Sequence, residues 1–208
     1  MRKIPFMLMV AMACFLGGCQ TSRSQPHPST SQAGAAQEGL ATLRQVVNPG
    51  NYAALGFGSP DEVRQATLGE PLRIYLVRLD ALRAFNGQSD PDKLLEDARR
   101  SLYPVEVSRK VATSIFVSGS QAGWRASELG NAAVARLVSA FRHGAGDFLV
   151  YVPALKSYFV ADRVEGRLVL TPIMDDSRTG FTAGGALPAD QVFAGLQKAA
   201  AGYNGLPQ

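Results

Sequence analysis

Residues 131–173 read NAAVARLVSAFRHGAGDFLVYVPALKSYFVADRVEGRLVLTPI. Asn131 stands where a helix cap is wanted, because its side chain can accept an N–H of the first turn. Val134, Leu137, Val138 and Phe141 follow at helical spacing, which predicts an amphipathic helix over 132–143, ended by Gly144. The pattern then changes to strand-forming residues. Phe148 to Val152 predicts a strand broken by Pro153-Ala154, Ser157 to Ala161 a second, and Arg167 to Ile173 a third, after a turn at Arg163–Gly166. Strands that arrive consecutively over short turns pair antiparallel. A helix leading directly into such a meander specifies an α+β class: an antiparallel sheet with helices packed on one face.

The flanking sequence extends this scheme. Upstream, Val105 and Val107 alternate with Glu106, Ser108–Lys110 predicts a turn, Val111 to Val117 a strand, Ser118–Gly123 a Gly-rich loop and Trp124–Ser127 a short strand. Asp90-Pro91 predicts the start of a helix running to about Ser101, with Leu94, Leu95, Ala98 and Leu102 on one side. Glu96 and Arg100 would pair along it at i,i+4, and Tyr103-Pro104 would end it. Ser59-Pro60-Asp61-Glu62 reads as a capped helix start, with the helix running to Leu68 before Gly69. Leu72 to Val77 predicts a strand, and Leu79–Phe85 fits either a strand or one helical turn. Leu40, Leu43, Val46 and Val47 predict a short helix stopped by Asn48–Asn51. Downstream, Asp175–Gly185 reads as a long loop. Pro188 opens a last helix to about Gly202, with Val192, Phe193, Leu196 and Ala199 facing inward. Helix-then-strand units near 60–77, 91–117 and 132–173 fit one continuous sheet, or two small subdomains split near 130.

The N-terminus carries a different signal. Arg2 and Lys3 precede an apolar run of 13 residues, Ile4 to Leu16, and Leu16-Gly17-Gly18-Cys19 follows at its end. A bilayer span needs roughly 20 residues, so this is an export signal rather than a retained anchor. It resembles the lipobox of bacterial lipoproteins. The resemblance covers residues 1–20 and implies cleavage between Gly18 and Cys19, with lipid carried on the Cys19 thiol. Residues 1–18 are then a cleaved signal peptide. Each buried acyl methylene contributes about 0.8 kcal/mol, so two or more chains hold a protein firmly. In that family an Asp after the Cys commonly retains the protein at the inner membrane. Gln20 stands there instead, which implies the outer membrane, facing the periplasm. Residues 19–38 are the lipidated Cys and a tether rich in Ser, Gln, Thr, Pro and Ala, expected to be disordered. As a flexible coil its 19 residues after Cys19 would span about 25 Å. Residues 39–208 form the expected globular α+β domain. Beyond the signal peptide, its strand-and-helix order resembles cystatin-like and PAS-like modules in layout alone, without a shared motif.

Removing residues 1–18 lowers the formal charge from +4 to +2. That is too mild for nucleic acid, and no Lys/Arg cluster argues for it. Cys14 lies in the signal and Cys19 is the lipid site, so the domain beyond has no thiol for a disulfide, a zinc ligand or a nucleophile. No cofactor or metal site is expected. His27, between two prolines of the tether, reads as a solvated residue.

His143 is the sole His of the expected domain, with Ser139 one turn before it and Asp147 four residues after. A Ser-His-Asp triad would need it, but a helix C-terminus favours its cation and gives it a capping role. Gly119-Ser120-Gln121 lacks the G-x-S-x-G elbow. Tyr52–Gly58 lacks the Lys of a phosphate loop, and Asp175–Gly180 lacks the spacing of a calcium loop. Asp162, Asp175 and Asp176 are carboxylates a glycosidase could use, but adjacent Asp175 and Asp176 point opposite ways from a strand end. Trp124, the sole Trp, offers either a core anchor or a stacking platform. Tyr151 and Tyr158, with Phe148 and Phe159, alternate along the later strands, so part of the set faces away from the core and offers a binding face.

These observations favour a non-catalytic, membrane-anchored envelope lipoprotein, a binding, assembly or scaffolding module whose partner is an envelope protein or glycan. Trp124, Tyr151 and Tyr158 are its candidate contact residues. The alternatives are a small-ligand carrier or sensor with an apolar pocket, and a periplasmic hydrolase using His143.

Overall fold

The structure, a computed structural model, describes residues 28–203. The expected signal peptide, Cys19 and His27 lie outside the described residues. In chain order the described elements are α1 (Gln32–Val46), α2 (Glu62–Gln65), β1 (Thr67–Leu68), β2 (Leu72–Leu76), α3 (Leu79–Ala84), β3 (Glu96–Val107), β4 (Lys110–Ser120), β5 (Gly123–Leu129), α4 (Ala132–Phe141), β6 (Phe148–Val152), β7 (Ser157–Val164), β8 (Arg167–Pro172), β9 (Leu187–Pro188) and α5 (Ala189–Ala201). The architecture is α+β. Among the described residues one nine-stranded sheet runs β5-β4-β3-β2-β6-β7-β8-β9, with β1 paired to β3 beside β2.

Every pairing is antiparallel except one. β2 and β6 run parallel at the centre, Ile74 opposite Leu149 and Leu76 opposite Tyr151. That pair joins the meander β6-β7-β8 to the meander β3-β4-β5, so the sheet crosses residue 130 without a break. Two hairpins use two-residue turns with positive φ at both positions, Ser108-Arg109 (φ 50 and 64) and Glu165-Gly166 (φ 51 and 78). That geometry matches the twist of the flanking strands.

Alternation along the strands sorts the core into layers. Tyr103, Val105, Ile115 and Val117 of β3 and β4 face α1, whose Ala36, Leu40 and Leu43 are buried against them. On the same face Val150, Phe159 and Leu170 meet Val192, Phe193 and Leu196 of α5, with Leu82 of α3 alongside. The intervening residues, Ile74, Leu102, Phe116, Leu149 and Val160, face the other way, onto Val138 of α4. Two of the three long helices therefore share one face, and α4 covers part of the reverse.

The disordered tether expected over residues 19–38 does not extend through residue 38. Residues 32–38 belong to α1 and not to a disordered segment: Ser31 accepts the Gly34 N–H at 3.0 Å, and Ala35 and Ala36 are fully buried. Gly39 lets the helix approach closely, since a Cβ there would stand 2.9 Å from both Ala126 Cβ and Ile115 Cγ2. Small residues that looked too weak to drive folding are what a close helix–sheet contact requires.

The helix expected over Pro91–Ser101 is also corrected. Pro91–Leu94 forms one 3-10 turn, and β3 begins at Glu96. A bulge against β2, with Arg99 at φ 48, interrupts the period-two alternation and makes Leu94, Leu95 and Ala98 look helical. Pro104, expected as a stop, lies inside β3. Its backbone faces the gap between β1 and β2, where the Gly69 N–H donates to the Pro104 carbonyl at 2.8 Å and no strand needs a donor in return. The helix expected over 59–68 shrinks to α2, because Thr67 and Leu68 pair with Glu106 and Val105 instead. Leu79–Ala84 resolves as helix α3.

Candidate functional site

The residues left beside α4 on the reverse face make the candidate site. α4 packs chiefly on β4, through Val134, Leu137, Val138 and Phe141. Further along the same face Tyr151 of β6 and Tyr158 of β7 are directly opposite each other and half-buried. Their rings stack with centroids 4.1 Å apart and planes 13° from parallel. Burial, and then the field of the neighbouring Tyr151 phenol and of Glu128, push the Tyr158 hydroxyl well above its ordinary range, so it is a neutral hydrogen-bonding group.

Arg100 of β3 lies on the same face, its guanidinium 5.0 Å from the Phe116 ring centroid. That is cation–π geometry. Its charge partner among the described residues is Glu128 of β5 at 3.6 Å, beyond hydrogen-bond reach. Glu128 is held by another group: Asn131 Nδ2 donates to its Oε1 at 3.1 Å while the Asn131 Oδ1 caps α4. The Arg100 Nε–H is buried without a partner. Beside it Ser118 and Ser127 share a hydroxyl contact of 2.8 Å. The patch thus combines an aromatic pair, an under-satisfied cation and short hydroxyls on a rigid sheet. It is equipped to hold a polar group against an apolar surface.

Of the residues expected to bind a partner, Tyr151 and Tyr158 come together here and Trp124 does not. Trp124 lies on β5 with its ring against Gly119, where a Cβ would come within 2.8 Å of it. It packs with the α1 layer on the opposite face. Its backbone exchanges two hydrogen bonds with Ser29, of 2.7 and 2.9 Å, and so pins the start of α1 to the sheet edge. This is the core-anchor role.

His143 lies exposed beyond the end of α4. The buried Asp147 carboxylate accepts the backbone N–H of His143 at 2.6 Å and of Gly144 at 3.1 Å. The carboxylate thereby fixes the turn that follows α4 and is engaged by backbone, and His143 lies past the helix end it was expected to cap. The acidic loop is organised in the same way. Asp175 accepts the Ala183 N–H at 2.8 Å, and Asp176 takes Arg178 through two bonds of 2.8 Å, with the Ser157 hydroxyl at 3.4 Å. Hydrogen bonding from Arg178 holds the Asp176 carboxyl below the usual carboxylate range. A cleft of about 150 Å³ adjoins them, lined by Ser157, Tyr158, Asp176 and Phe181 among others. Among the described residues no three His, Cys, Asp or Glu side chains converge as a metal site would require, and no helix is long and apolar enough to cross a membrane.

Sequence reasoning missed Arg100, Phe116 and Glu128. Arg100 was expected on a helix, paired with Glu96; the available clue was the alternation of Arg100 and Leu102 with Ser101 and Tyr103, beyond the bulge. The chain matches no family model, no curated protein and no solved structure.

Proposed function

We propose that the chain is an envelope lipoprotein, lipidated at Cys19 and held at the outer membrane facing the periplasm, whose domain is a non-catalytic binding module. The observation that supports the binding role is the stacked, half-buried pair Tyr151 and Tyr158 on the face that carries α4, with Arg100 on the same face. A partly exposed aromatic pair with polar neighbours on a rigid sheet suits an interface. The anchor rests on Leu16-Gly17-Gly18-Cys19. Nine residues, 20–28, separate Cys19 from Ser29 at the edge of β5. Fully extended they reach roughly 30 Å, so the domain works close to its membrane.

The carrier alternative needs an enclosed apolar pocket, usually of about 300–1,000 Å³. Clefts of that size among the described residues are open surface grooves with charged linings, such as the one of about 870 Å³ lined by Val77, Arg78, Asp80 and Arg83, and the more enclosed cleft at Asp176 is near 150 Å³ and part-charged. The hydrolase alternative needs a carboxylate on the His143 imidazole, and Asp147 is engaged by backbone instead. Site-specific photo-crosslinking in cells tests the proposal. A crosslinker at position 158 should give one discrete envelope adduct that is absent when the crosslinker replaces exposed Gln45 on α1. Equal labelling from both positions would refute the assignment of this face.

A further inference from the structure

We draw no further inference here: the strongest candidate, the outer edge of β5 beyond the Ser29–Trp124 bridge, carries nothing, because nothing in the structure shows what covers it.

Discussion

Gly39→Ala distinguishes a docked α1 from a solvated one by the sign of its effect. On an exposed helix, replacing Gly by Ala stabilises by about 1 kcal/mol. In the structure the new Cβ would meet Ala126 Cβ and Ile115 Cγ2, each at 2.9 Å. Neither can swing away easily: one is a methyl attached to the backbone and the other belongs to a β-branched side chain buried in the sheet. Overpacking of this kind costs about 1–3 kcal/mol. Set against the helix gain, the net is a loss of about 1 kcal/mol, or a fall in Tm of about 2–4 °C for a domain of this size. Urea unfolding of the two proteins, followed by circular dichroism, measures it. Exposed Thr42→Ala on the same helix is the control and should be neutral or slightly stabilising. A stabilisation near 1 kcal/mol for Gly39→Ala would mean that α1 does not rest on the sheet, and that the expected tether extends through it after all.

Trp124→Ala should lose about 2–4 kcal/mol, somewhat less than a fully buried Trp, because it removes the ring packed on Gly119; thermal unfolding reads this. Tyr158→Leu should cost about 1 kcal/mol through the lost aromatic pair with Tyr151, and a double-mutant cycle with Tyr151→Leu should return a coupling of about 0.5–1.5 kcal/mol. For Asp176 the sign follows from a depressed folded pKa. Its stabilisation is complete above the ordinary carboxylate value of about 3.9 and is lost as pH falls through the lower folded value. The stability gap between the parent and Asp176→Asn should therefore stay constant from about pH 5 upward and close in acid, as pH-dependent urea midpoints would show. Asn131→Ala should cost about 1 kcal/mol as a lost helix cap.

Where local chemistry decided structure, the sequence was legible. The cap at Asn131, the stripe of α4, the turns at 108 and 165, and the strands of the second meander all depend on neighbours a few residues apart. α5 reads equally well from Val192, Phe193 and Leu196. The errors share a cause in long-range pairing. β3 looked helical because its bulge at Arg99 broke the alternation, and Pro104 looked like a stop because the gap it faces, between β1 and β2, is made by residues more than thirty positions away. Residues 32–38 looked disordered because their role is to be small, and the surface they fit belongs to β4 and β5. The same limit applies to the site. Tyr151 and Tyr158 could be singled out because they alternate on adjacent strands. Arg100 and Glu128 meet them across strands whose order the sequence does not state, and Trp124 fell on the other face for the same reason.

Lipidation of Cys19 underlies the proposed anchor, and intact mass analysis of the mature N-terminal peptide, purified from the native envelope, examines it directly. The proposal requires the chain to begin at Cys19 and to carry the mass of two or more acyl chains. A mature N-terminus elsewhere, or an unmodified cysteine at that position, would contradict it.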